Sequence, residues 1–318
     1  TPVDAEALNS YREAIDGQIL QEGICEAGAI ASFIAAGTAY ATFGVRTIPF
    51  YVFYSMFGFQ RVGDLIWAAA DMMAKGFLLG GTAGRTTLNG EGLQHQDGHS
   101  PVLASTLPSV RTYDPAFAWE LAVLVRYGIQ RMFVEDHDEL FYLMMYNEAR
   151  LMPARPQDAD LEEGVIRGGY LLEPACGDGP RVNILGSGTI LFEVLEAAEQ
   201  LRSEGFAVAV YSITSYVELA RDAERSETAD TYSQKSGRAW VKHLFDQTDV
   251  PTVAVTDYVR ALPRMIATWI PGPYTVLGTD GFGLSERREV LREHFGVDAS
   301  AIAGAARHLC AQIDAEQE

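Results

Sequence analysis

The stretch GFLLGGTAGRTTLNGEGLQHQDGH, residues 76–99, runs from an apolar segment into a polar, glycine-rich loop. Residues 76–81 read as a buried strand. The twenty residues from 80 to 99 hold six glycines, with His95 and His99 four apart. Glycine inside a helix or strand costs roughly 0.5–1 kcal/mol relative to alanine, so this stretch suits neither. It suits a tight backbone path that presents Arg85, Asn89, Glu91, His95, Asp97 and His99 toward a ligand. Polar loops leaving strand ends are where α/β proteins keep their chemistry.

Strand and helix patterns alternate on both sides of this loop. Upstream, residues 23–42 read as a helix that is apolar nearly all round, residues 48–55 (IPFYVFYS) as a β-branched and aromatic strand, and residues 60–74 as a helix. Downstream come a strand at 110–113, a helix at 115–133 and a strand at 140–146. Residues 150–168 hold two prolines and four acidic residues, the composition of a linker. Beyond it the alternation resumes, with strands at 182–185, 206–214, 253–256 and 274–278. Helices are expected at 189–203, 259–270, 286–295 and 300–313. The fold class is therefore α/β, with two domains, each a largely parallel sheet flanked by helices. The divisions are a mobile entry segment at 1–17, a first domain at 18–149, the linker, and a second domain at 169–318.

The composition narrows the function. A net charge of −19 repels a phosphate backbone and argues against nucleic-acid binding. Three scattered cysteines, Cys25, Cys176 and Cys310, fit reduced thiols and a cytoplasmic setting. Residues 27–45 are uncharged over nineteen positions, but six Gly, Ser and Thr residues dilute them, so a buried helix is expected and no membrane contact. The chain begins at Thr1 without methionine, as a processed chain or a piece of a longer one does.

QEGICEAGA (residues 21–29), IPFYVFYSMFGFQRVGDLIWAA (48–69), the 80–100 loop and TDGFG (279–283) carry a family resemblance. Together they resemble the decarboxylating, thiamine-diphosphate-dependent first component of the pyruvate dehydrogenase complex, of the single-chain homodimeric type. The resemblance covers that family's pyrimidine-binding domain and its transketolase-like C-terminal domain. It does not cover the diphosphate-binding domain, where a Gly-Asp-Gly motif and paired asparagines hold magnesium and the diphosphate. Here Gly177-Asp178-Gly179 is followed by Pro180 and then by no asparagine pair, so it reads as a turn. The resemblance thus implies half an enzyme, with thiamine diphosphate and Mg2+ held mainly by a diphosphate-domain partner in a heterotetramer.

By this resemblance Glu26 hydrogen-bonds the cofactor's pyrimidine nitrogen and so helps remove the thiazolium proton. Burial beside Ile24 and Ile30 is expected to keep its carboxyl protonatable. Phe57 packs against the aminopyrimidine ring, with Tyr54 and Arg61 near it. Without the family, the aromatic run would be plain core and Arg61 a partner for Asp64. His95 faces the reacting centre as a proton donor or acceptor, with Glu91 close by, because imidazole changes charge near neutral pH. His99 braces the loop. Metal binding by His95, Asp97 and His99 is not expected, since such a pair needs a helix and Gly98 intervenes. The family's usual His-Glu-Asp-Gly-His-Ser-His is altered at Gln96 and Pro101, which bears on substrate and acceptor.

In the second domain, Gly186-Ser187-Gly188 is read as a tight strand–helix turn and not a nucleotide site, and residues 223–240 depart from the family pattern. The implied function is decarboxylation of a 2-oxo acid, with pyruvate the expected substrate, and transfer of the acyl unit to a lipoyl-bearing partner component. An acyloin- or ketol-forming transferase shares the first steps and changes the acceptor. A non-catalytic scaffold subunit is the reading from another class, and it leaves Glu26, Arg61, Glu91 and His95 without a purpose.

Overall fold

The computed structural model describes residues 14–156, 161–232, 237–246 and 250–317. Most of the expected entry segment, residues 1–13, lies outside them. The first unit runs α1 (Glu26–Gly37), α2 (Ala39–Phe43), β1 (Phe50–Tyr54), α3 (Ser55–Asp71), β2 (Gly76–Gly81), α4 (Ser100–Ala104), β3 (Val110–Tyr113), α5 (Ala118–Ile129) and β4 (Leu140–Met144). The second runs α6 (Leu161–Arg167), β5 (Tyr170–Glu173), β6 (Arg181–Gly186), α7 (Ile190–Ser203), β7 (Ala207–Ser212), α8 (Tyr216–Thr231), α9 (Trp240–Leu244), β8 (Thr252–Val255), α10 (Ala261–Arg264), β9 (Tyr274–Leu277), α11 (Arg288–Phe295) and α12 (Ala299–Gln317).

The first sheet has the order β1-β2-β4-β3 and is parallel throughout. The second has the order β5-β7-β6-β8-β9, parallel except for β5 at its edge. The expected α/β architecture, a largely parallel sheet flanked by helices, is therefore present in both units. Central β4 is buried at every position, as a strand covered on both faces must be. Edge strand β1 alternates instead, with Phe50, Val52 and Tyr54 exposed and Tyr51 and Phe53 buried. One core cluster runs from Ile30, Phe53 and Ile66 through Tyr142 to Tyr216, Leu219 and Tyr258, so the two units share packing. Among the described residues no helix is long and apolar enough to cross a membrane.

Three expectations change on contact with the structure. The helix expected over 23–42 breaks at Gly37, because the Gly37 carbonyl accepts from the Lys75 N–H (3.1 Å) in place of a helical partner. The helix expected over 259–270 shrinks to α10 and one 3₁₀ turn, Ala267–Trp269, where the Tyr274 hydroxyl takes the Pro263 carbonyl at 2.9 Å. The acidic stretch 150–168 is not linker throughout, since it carries α6 with Leu161 and Val165 buried, and β5 and α8 are further elements the periodicity did not disclose. Gly177–Gly179 forms an exposed bend between β5 and β6.

The strand ends place the site. In the parallel register Tyr54 lies opposite Gly81, so α3 leaves β1 beside the point where the glycine-rich loop leaves β2. Both exits are at the carboxyl edge of the sheet, where open α/β sheets bind ligands.

Candidate active site

Glu26 opens α1, and its side chain is largely buried but reaches the surface. The Arg61 guanidinium donates to its Oε1 at 2.8 Å. Arg61 lies one helical turn beyond Phe57, and its guanidinium carbon sits 3.9 Å from that ring's centroid. On its other side Phe57 meets Tyr54 at 5.7 Å and the edge of His95 at 5.2 Å between centroids. His95 also touches Tyr54 at 5.6 Å, and its Nδ1 stands 3.6 Å from the Glu91 carboxylate. The six residues singled out in the sequence, Glu26, Tyr54, Phe57, Arg61, Glu91 and His95, therefore form one contiguous surface, although 65 positions separate Glu91 from Glu26.

The apolar wall expected around Glu26 is half present. Ile30 is fully buried beneath it, but Ile24 is fully exposed and the side chain's nearest partner is a cation. The Tyr51 hydroxyl, pushed up to about 12 by burial and by Glu26, donates to the Glu26 carbonyl at 3.3 Å and ties the first turn of α1 to β1.

The loop does not present all its polar groups outward. Arg85 is 1% exposed; it donates to the Gly281 carbonyl and stands 3.0 Å from His99 Nδ1. Burial, and then the Arg85 charge, lower the His99 pKa, so a neutral ring accepts from Arg85 and braces the loop as expected. Asp97 is fully buried and accepts from the His99 and Ser100 N–H groups at 2.9 and 3.0 Å and from the Ser100 hydroxyl. It thus closes the turn into α4. Arg85 and Asp97 are structural, and Asn89, Glu91 and His95 remain on the accessible side. Gln96 and Pro101 are also buried, away from that surface.

Among the buried carboxyl groups that escaped the sequence reading, two lie beside a close-packed glycine. Asp257, just after β8, accepts from the N–H groups of Thr86 and Thr87 at 2.8 and 3.1 Å and from both hydroxyls at 2.7 and 2.6 Å. The Thr87 hydroxyl also meets that of Thr189 at 2.7 Å. Asp114, after β3, takes the Tyr146 hydroxyl, and its carbonyl accepts from the Gly188 N–H at 3.1 Å. Each lies at a strand end beside a glycine too close for a side chain, at Gly84 and Gly188, and that coincidence was the available signal.

Chemically, an accessible carboxylate oxygen beside aromatic faces suits one end of a flat nitrogen heterocycle. A ring nitrogen bearing hydrogen can donate to Glu26 while its face stacks on an aromatic ring. The arrangement does not suit a metal-bound diphosphate. Among the described residues no group of three or more His, Cys, Asp or Glu side chains could hold a metal ion. The residues thus fit the pyrimidine end of the implied cofactor.

Residues 1–153 match the pyruvate dehydrogenase E1 component middle domain, and residues 168–298 the transketolase-like C-terminal domain. The chain is 53% identical over 306 residues to a pyruvate dehydrogenase E1 component of Corynebacterium glutamicum, covering 95% of this chain and 33% of that protein. It is 49% identical over 311 residues to the Escherichia coli (strain K12) protein of the same name, covering 96% and 35%. The chain therefore spans about a third of the length of these relatives. Among solved structures it shares its fold with a transketolase from Leishmania mexicana (TM-score 0.66, 19% identity, 91% of this chain and 37% of that one). It also shares it with a split gene transketolase described as an inactive beta4 tetramer (TM-score 0.63, 17% identity, 91% and 83%).

Proposed function

Residues 1–153 are a pyruvate dehydrogenase E1 middle domain and residues 168–298 a transketolase-like C-terminal domain, and from this pairing we propose that the chain forms the pyrimidine half of a thiamine-diphosphate site. The enzyme decarboxylates a 2-oxo acid, with pyruvate as the substrate, and passes the acyl unit to a lipoyl-bearing component. The observation that carries this reading is the contiguous surface of Glu26, Phe57, Tyr54 and His95 at the carboxyl edge of a parallel sheet. Thiamine diphosphate, when bound, supplies the electron sink that decarboxylation needs.

The chain's own residues then have separate tasks. Glu26 Oε1 accepts a hydrogen bond from the pyrimidine and fixes its protonation state, a role for which it leaves Arg61. Phe57 and Tyr54 give the ring an apolar face. His95 holds or delivers a proton at the reacting centre, with Glu91 3.6 Å from its Nδ1.

The diphosphate and Mg2+ belong to a second unit, a separate subunit in a heterotetramer or a further part of the same protein. The exposed apolar side of β1, with Phe50, Val52 and Tyr54, and the nearby Trp67 support such a cover, which would also exclude water. That a chain of this fold stands as one product of a split transketolase gene supports the separate-subunit form. We place the enzyme in the cytoplasm, in keeping with its free cysteines. Gln96 and Pro101, which opened the carbon–carbon-bond-forming alternative, are buried and present no side chain on that surface, which favours the lipoyl acceptor.

The test is reconstitution with a diphosphate-binding half, thiamine diphosphate, Mg2+ and pyruvate, reading carbon dioxide release. Glu26→Ala is expected to lower the rate about 10²-fold or more. An unchanged rate would establish the scaffold reading instead.

A further inference from the structure

A segment of the second unit, residues 279–288, runs along the back of the loop that carries Glu91 and His95. The Gly281 carbonyl accepts from Arg85, the Ser285 hydroxyl donates to the Gly90 carbonyl at 3.0 Å, and the Gly90 N–H donates to the Glu286 carbonyl at 3.1 Å. Arg288 Nε donates to the Thr87 carbonyl at 2.6 Å. Between the two strips of chain lies the side chain of Gln96, 1% exposed. Its Nε2 donates to the Leu88 carbonyl at 2.7 Å, and its Oε1 accepts from the Leu284 N–H at 2.7 Å. These partners fix the amide's orientation, because one can only accept and the other can only donate. Gly283 packs so closely that a methyl there would run into Gln96 Oε1 and Cβ.

His95 depends on this backbone. Its N–H reaches the Gly92 carbonyl at 3.2 Å, while its Nδ1 is buried and makes no hydrogen bond. Among the described residues, ring contacts with Tyr54 and Phe57 and the longer approach of Glu91 hold the imidazole. The next residue, Gln96, is the anchor that joins this turn to the second unit.

We propose that Gln96 is a positioning residue for His95: clamped between Leu88 and Leu284, it sets where the imidazole stands. Its amide nitrogen holds one strip of chain and its amide oxygen the other, so the turn that carries His95 is fixed against the second unit.

The inference rests on the role given to His95 above, but its test needs neither cofactor nor turnover. Histidine-selective NMR and amide hydrogen exchange are compared at pH 7.5 for the chain as it stands, for Gln96→Ala and for Gly283→Ala. The expected result is a displaced His95 imidazole signal and at least about tenfold faster exchange over residues 89–98 in both variants. His137, His243, His294 and His308 stay in place. His95 signals that superimpose in all three proteins overturn the proposal. So does collapse of all six histidine signals together in both variants, which assigns Gln96 to stability alone. Normal positioning by Gln96 in a chain that never supports decarboxylation would refute the enzymatic reading and leave this one intact.

Discussion

Asp114 is buried where the two units meet, and burial, opposed by the Tyr146 and Ser187 hydroxyls, pushes its carboxyl up to about 7. In the unfolded chain the same group ionises near pH 4. Between those values the folded chain keeps a proton that the unfolded chain has released, so stability falls as pH rises from about 4 to about 7 and then levels. Glu120 and Asp257 are also raised by burial and add to this slope. Asp114→Asn keeps an acceptor for Tyr146 and removes Asp114's share, on the order of a few kcal/mol. Thermal midpoints of the two proteins from pH 5 to 8 should diverge in slope, and parallel curves would contradict the assignment. At Glu26 the relevant neighbour is Arg61, which occupies both the carboxylate and the face of Phe57. Phe57→Ala should therefore loosen Arg61 as well as weaken cofactor binding, visible as faster guanidinium exchange in the unloaded chain.

The glycine-rich loop is the element on which both domains act. Gly84 has φ +86, and a Cβ there would run into the Asp257 carboxylate and Tyr146. Gly84→Ala combines a disfavoured backbone with loss of the Asp257 clasp, so a destabilisation of about 2–4 kcal/mol is expected from urea unfolding. A change under about 0.5 kcal/mol would mean the clasp is dispensable. The sheets and the loop were legible because their signals are local: β3 falls at 110–113 as expected, and glycine spacing marks the loop. The co-location of Glu26, Phe57 and His95 was legible only through the family resemblance, since no periodicity links residues so far apart. What stayed hidden depends on distant partners. Helix α1 stops because Lys75 takes the Gly37 carbonyl, and Arg85 turns inward because Gly281 and His99 wait there. Helix α6 was masked by Glu162 and Glu163, whose charges outweighed Leu161 and Val165 in a composition reading.

Across the whole molecule, ion pairs stitch the two units beside the shared core. Arg111 on β3 meets Glu218 on α8 at 2.6 Å, and Arg292 on α11 bridges Glu148 and Glu193 at 2.6 and 2.9 Å. Arg292→Met leaves two largely buried carboxylates with Arg150 between them and Arg288 4.0 Å from Glu148. A loss of about 3 kcal/mol in stability is expected, measurable by urea unfolding. A coupled pair of domains is what the proposed composite site needs, because the second unit then holds the loop that carries Glu91 and His95. The central claim is that this chain forms the pyrimidine half of that site and lacks the diphosphate half. Calorimetric titration of thiamine diphosphate with Mg2+ tests it directly, on the chain alone and after adding a diphosphate-binding partner. The account predicts no measurable heat for the chain alone and saturable binding once the partner is present, weakened by Glu26→Ala. Tight binding by the chain alone, or partner-dependent binding indifferent to Glu26, would contradict it.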